Sequence, residues 1–209
     1  MTKKQLLDEL KSKMKADISL PLCRGATQLV FGDGDPDTEI LFIGEGPGYW
    51  EDQKGVPFVG NAGSLLNQLL LKIGMQRQDV YITNVVHHRP PENRDPTPEE
   101  IMTYQPYLDE IIKIIDPKMI VTLGRFSMGK FIPNVFISSV HGREKTVDWE
   151  GKYITVVPMY HPAAALRSTE VKLKLTADFE RLPEVLKKIK EKNDTIGEVE
   201  KKVEQIALI

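Results

Sequence analysis

At 209 residues, 41% hydrophobic and 28% charged, the chain can bury a full core as one domain and has the composition of an ordinary globular protein. A formal net charge of -2 gives no global case for nucleic-acid binding, and a single cysteine, Cys23, excludes an internal disulfide and any cysteine-built metal site. No apolar run approaches the ~20 residues that span a bilayer, and the start, MTKKQLLDELKSKMK, has no signal-type apolar core, so a reducing cytoplasm is the expected location.

Leu6, Leu7, Leu10 and Met14 recur at helical spacing and predict a helix over residues 3–15. Residues 27–31 read as a short strand, ended by Gly32-Asp33-Gly34-Asp35-Pro36. Four later runs, at 40–43, 80–86, 119–123 and 153–158, have the continuous apolar character of buried parallel strands. Helical patterns separate them at 64–73, 98–115 and 125–132. A last helix is expected over 169–192, with a possible interruption at Pro183. Residues 1–192 are expected to form the domain, and 193–209 a charged, helical extension. Strands alternating with helices imply an α/β fold, a parallel sheet covered on both faces, with ligands bound at the carboxyl ends of its strands.

That places three loops on one rim. The first, residues 44–63, reads GEGPGYWEDQKGVPFVGNAG, a glycine-rich loop of a length that is usually functional. The second runs from Thr83 through Asn84, His87, His88, Arg89, Asn93 and Arg94 to Pro96. The third is Tyr160-His161-Pro162-Ala163-Ala164-Ala165-Leu166-Arg167. Asn84 is polar within an apolar strand, and its amide offers a donor and an acceptor suited to a nucleobase edge. Phe58 could supply a stacking face, and His161 could reach a ligand held by the first loop. Taken singly, Asn84 could bond nearby backbone, Phe58 could be core, and Glu45 could cap the helix that follows. Their joint placement carries the argument. Nine Lys/Arg stand against four Asp/Glu between Lys118 and Lys174, a basic half suited to phosphates or a chance segregation of surface charge.

No metal is expected. His87 and His88 are adjacent, so on a strand they would face opposite ways, and no HxH or HExxH spacing occurs. The glycine loop lacks GxxxxGK[ST] and GxGxxG spacing, which demotes nucleotide-dependent chemistry.

GEGPG followed by ED, G-x-PFVG-x-AG and LL resembles the first motif of the family 4 uracil-DNA glycosylases. TNVV-xx-RPP-x-NRDPTPEE resembles that family's second signature and HPAAALR its closing one, and the match runs in order over about residues 17–180. The resemblance implies a three-layer α/β/α fold around a four-stranded parallel sheet, and removal of uracil from DNA by cleavage of the N-glycosidic bond. By position, it implies that Glu45 organises the attacking water and that Gly46 gives a backbone N–H to the base. Phe58 would stack on the base, Asn84 would read its edge, Glu51 would stand near C5, and His161 would donate to O2. Leu166 and Arg167 would enter the duplex, and Arg89, Asn93 and Arg94 are the expected DNA contacts of the second loop.

The resemblance has one large departure. Family 4 enzymes hold a [4Fe–4S] cluster on four cysteines, and the matching positions here are Asp17, Leu20, His88 and Tyr104. No cluster can form on them, so Leu20 and Tyr104 are expected to fill its volume and His88 to bond Asp17 or Tyr104. The second loop carries no basic insert with a histidine, which argues against covalent capture of the sugar. The expectation is a monomeric hydrolase acting on uracil-containing DNA with no cofactor. The alternatives are a glycosylase for hypoxanthine or xanthine, a non-catalytic uracil-DNA-binding protein and, more weakly, a phosphate-dependent hydrolase.

Overall fold

The protein is described by a computed structural model covering residues 1–207, with side chains described for residues 1–192. In chain order the elements are α1 (Lys3–Ala16), β1 (Asp33–Gly34), β2 (Ile40–Gly44), α2 (Tyr49–Lys54), α3 (Asn61–Lys72), β3 (Tyr81–Asn84) and α4 (Pro98–Ile115). They continue with β4 (Met119–Leu123), α5 (Arg125–Phe131), α6 (Ile137–Val140), β5 (Lys145–Trp149), β6 (Lys152–Met159), α7 (Pro162–Ala165) and α8 (Thr169–Ala207). Among the described residues, no helix is long and apolar enough to cross a membrane.

The sheet order is β1-β3-β2-β4-β6-β5. The four inner strands are parallel, as expected, but the sheet has six strands, because β1 and β5 add antiparallel edges. β5 alternates exposed and half-buried positions, so it has no continuous apolar run and reads as loop. Residues 27–31 are not a strand. Their polar groups bond singly: Val30 N–H donates to the His87 carbonyl at 2.8 Å and the Thr83 hydroxyl donates to the Phe31 carbonyl at 2.8 Å. The edge strand falls instead on Asp33–Gly34. α8 continues through Pro183 without a break, and its backbone runs on into the stretch expected to be an extension.

Period-two alternation along β2 divides the core. Leu41 and Ile43 face a cluster with Leu108, Ile111 and Ile115 of α4 and Leu7 and Met14 of α1. Ile40 and Phe42 face Leu65, Leu66, Leu69 and Leu70 of α3 and Leu175, Phe179 and Leu182 of α8. α4 starts where Thr97 and Glu100 form a reciprocal capping box with Pro98 in the first turn. Because β2, β3, β4 and β6 are parallel, the loops that follow β2, β3 and β6 leave from one edge of the sheet.

Candidate active site

The first loop leaves β2 at Gly44, which pairs in register with Asn84 of β3. A β-carbon at Gly44 would stand 2.4 Å from Asn84 Oδ1 and 2.6 Å from Phe58 Cε2, so the missing side chain lets an amide and a ring meet over the strand end. Phe58 is buried and takes a left-handed φ of 52°. Its carbonyl oxygen fills the space of a β-carbon at Gly63, 1.8 Å away, so α3 can start there only on glycine.

Two side chains hold this loop. Glu51 Oε1 accepts from the N–H groups of Val59 and Gly60, at 2.8 Å each, and so supplies the acidic cap that Gly60 cannot give α3. The helix-capping role weighed for Glu45 thus falls to Glu51. Arg77 donates Nη1 to the Phe58 carbonyl at 3.2 Å and Nη2 to the Pro57 carbonyl, while its Nε binds Asp33 Oδ2 at 3.0 Å. Nothing in the motifs singles out Arg77, which lies beyond α3 in the chain.

Asn84 is 1% exposed, and among the described residues its Oδ1 has no hydrogen-bond partner. Leaving such an acceptor unpaired costs about 1–3 kcal/mol. The Phe58 and His161 rings lie 5.5 Å apart with planes tilted 30°. His161 follows β6 and caps α7, where Nδ1 accepts from Ala163 N–H at 3.1 Å. Burial, and next the nearby Arg167 charge, hold its pKa down at about 4, against a weaker pull from Glu51. The ring is therefore neutral near pH 7. With Nδ1 accepting, its proton sits on Nε2, which is left as a donor. A β-carbon at Gly124 would come within 3.2 Å of His161 Cβ, so the turn after β4 also yields room to this residue.

Glu45 stands directly after Gly44. Burial, reinforced by the Asp95 charge, pushes its pKa up to about 7, while Arg125 and Arg167 pull it down. Asp95 forms an ion pair with Arg125 at the start of α5. At Gly46, a β-carbon would meet Val86 Cγ2 at 2.7 Å.

In the second loop, Arg89 Nε donates to Asn93 Oδ1 at 2.7 Å, and its guanidinium lies 5.2 Å from the Tyr49 ring centroid. Glu92 and Asn93 are both left-handed, with φ of 54° and 55°. Arg94 forks onto Glu100 at 2.8 and 2.6 Å, which ties the loop to the α4 cap. Leu166 is 48% exposed at the end of α7, beside exposed Arg167.

The residues at the positions that would carry an iron–sulfur cluster do not fit one. Leu20 and Tyr104 are buried, and His88 Nδ1 pairs with the Tyr104 hydroxyl at 2.8 Å. Asp17 accepts instead from the Tyr107 hydroxyl at 2.7 Å. His88 and Tyr104 satisfy each other, Asp17 is taken up by Tyr107, and there is no thiolate among the four. His87 and His88 do not diverge as a strand would make them, since both rings come within 6.0 and 5.9 Å of Tyr104. They lie past the end of β3 and take different polar partners, His87 Nε2 meeting Thr83 Oγ1 at 3.1 Å. Among the described residues, no group of three or more His, Cys, Asp or Glu is placed to hold a metal ion.

A parallel sheet with an unpartnered amide, a ring and a neutral imidazole at its carboxyl edge defines a class, and the chain belongs to the uracil DNA glycosylase superfamily, whose family model matches residues 31–187. It is 43% identical over 185 residues to the type-4 uracil-DNA glycosylase of Archaeoglobus fulgidus, a match covering 86% of this chain and 92% of that one. It is 41% identical over 189 residues to the type-4 uracil-DNA glycosylase of Thermotoga maritima, covering 90% and 98%. Within the superfamily the chain therefore falls in the type-4 family. It does so without the cysteines that its resemblance to that family called for.

Proposed function

We propose that the protein hydrolyses the N-glycosidic bond of uracil in DNA and leaves an abasic site. The observation that carries this is the buried, unpartnered Oδ1 of Asn84 beside Phe58 and the donor Nε2 of His161. Uracil offers what these groups lack. Its N3–H would satisfy Asn84 Oδ1, while the amide nitrogen donates to O4. Cytosine reverses that pattern and would leave buried polar groups unpaired. Phe58 supplies the stacking face, and Glu51, with its carboxylate held by two N–H groups, forms a fixed wall at C5 that a thymine methyl would meet.

The reaction builds oxocarbenium character on the sugar and negative charge on the departing base. His161 Nε2–H donates to O2 and stabilises that charge in a site with little water. Preorganised donors of this type are worth about 3–4 kcal/mol each. A neutral imidazole with its pKa near 4 donates without giving up its proton. Glu45, when ionised, orients a water on C1′: the C1′–N1 electrons leave with the base, the water oxygen bonds C1′, and its proton passes to Glu45. Gly46 N–H adds a donor to the base. Arg89, Asn93 and Arg167 would contact phosphates, Arg94 would shape their loop through Glu100, and Leu166 would fill the gap left in the duplex. Wedging and phosphate contacts offset the few kcal/mol that flipping costs.

The test is incubation with a uracil-containing oligonucleotide followed by alkaline cleavage of abasic sites. Strand breaks at uracil are expected. Their absence across pH and salt would overturn the proposal.

A further inference from the structure

Tyr49 and Trp50 open α2 inside the first loop and take no part in the reaction proposed above. Both are large, and both face solvent, at 49% and 57% exposure. Exposed aromatics of this size mark surfaces that meet a partner. Their arrangement is ordered. The rings meet edge to face at 5.1 Å and 79°, and the Arg89 guanidinium covers Tyr49 at 5.2 Å. Arg89 is itself steered by Asn93. Trp50 Cδ1 stands 3.6 Å from the position a β-carbon would take at Gly60. The next residue, Glu51, is bonded to Val59 and Gly60, the two residues after Phe58. The indole is thereby fixed beside the segment that carries the stacking ring of the pocket.

We propose that Trp50, braced by Tyr49 and Arg89, is a second stacking platform that takes an unpaired base next to the flipped uracil on the same DNA strand. The platform is continuous with the proposed phosphate contacts. It pairs an open aromatic face with a cation, the combination that tracks single-stranded nucleic acid. A base inside an intact duplex has both faces covered by its neighbours and cannot use such a ring. Trp50 therefore favours uracil in single strands or at frayed ends. This rests on the reading of the chain as acting on uracil in DNA, and the test separates the two.

Trp50 and Trp149 are the only tryptophans, so in a Trp149→Phe background the indole signal comes from Trp50 alone. Titration with a uracil-free oligothymidylate is expected to quench that signal along a saturable curve. Trp50→Ala, with unchanged circular dichroism, is expected to bind the single strand about tenfold more weakly, the scale of one base stack, and to lose less on duplex. Trp50→Phe should recover most of the loss. Absence of quenching, wild-type affinity in Trp50→Ala, or equal losses on single strand and duplex would each overturn the platform. Quenching without uracil excision would keep the platform and sink the glycosylase reading, whereas excision without quenching would do the reverse.

Discussion

Phe58 and His161 stand 103 positions apart in the chain, yet their rings face one another at 5.5 Å. One arrives on a glycine-rich loop after β2 and the other on the turn after β6. Two strands of one parallel sheet thus bring a buried ring and an imidazole together at one end of the sheet.

His161→Ala removes the donor proposed for O2 and leaves the Phe58 ring in place. Single-turnover excision is expected to fall by about 10²–10³-fold, with substrate affinity changed far less. A loss confined to affinity would show that the imidazole binds the base without stabilising its departure.

Glu45 gives the pH dependence. It must be ionised to take a proton from water, so excision should decline below its pKa of about 7, by roughly tenfold per pH unit. His161, at about 4, should not contribute above pH 5. Stability runs the other way. A carboxyl whose folded pKa lies above its ordinary 4.5 contributes fully below that pH and loses the contribution as pH rises through about 7. Glu45→Gln should therefore abolish excision and melt higher than the native protein at pH 8, with little difference at pH 4.5. A lower melting point at pH 8 would remove the burial argument.

Asn84→Asp replaces the amide donor with an acceptor. Discrimination between uracil and cytosine is expected to relax, read as excision from matched oligonucleotides carrying either base. Unchanged discrimination would take Asn84 out of the reading role.

Arg77 holds the carbonyls of Pro57 and Phe58. Arg77→Ala frees two carbonyls and Asp33. A loss of about 1–3 kcal/mol would lower the melting temperature by roughly 2–12 °C at this chain length. The looser Phe58 should raise KM for uracil-DNA more than it lowers kcat, and Arg77→Lys should recover part of both. An unchanged KM would make Arg77 a purely structural residue.

The parts of this architecture that local chemistry dictates were readable beforehand. The helical pattern over 98–115 marks α4, and continuous apolar runs mark the inner strands. The edges were not, because β5 is half exposed and β1 is two residues long. Residues 27–31 have strand-like composition, but their hydrogen bonds run to His87 and Thr83. At the site, the loops could be placed on one rim from topology, while individual roles leaned on the family resemblance. The supporting contacts were invisible. Arg77 meets Phe58 only because the chain folds back, and Gly44 matters only because Asn84 and Phe58 close over it. His88 finding Tyr104 was expected, and Asp17 turning to Tyr107 was not.

The pairing of His88 with Tyr104 has a practical reach beyond architecture. Bonded to each other and buried, an imidazole and a phenol hold this position by packing, with no thiolate there to bind iron. The fold at this place therefore does not draw on a supply of iron or sulfide.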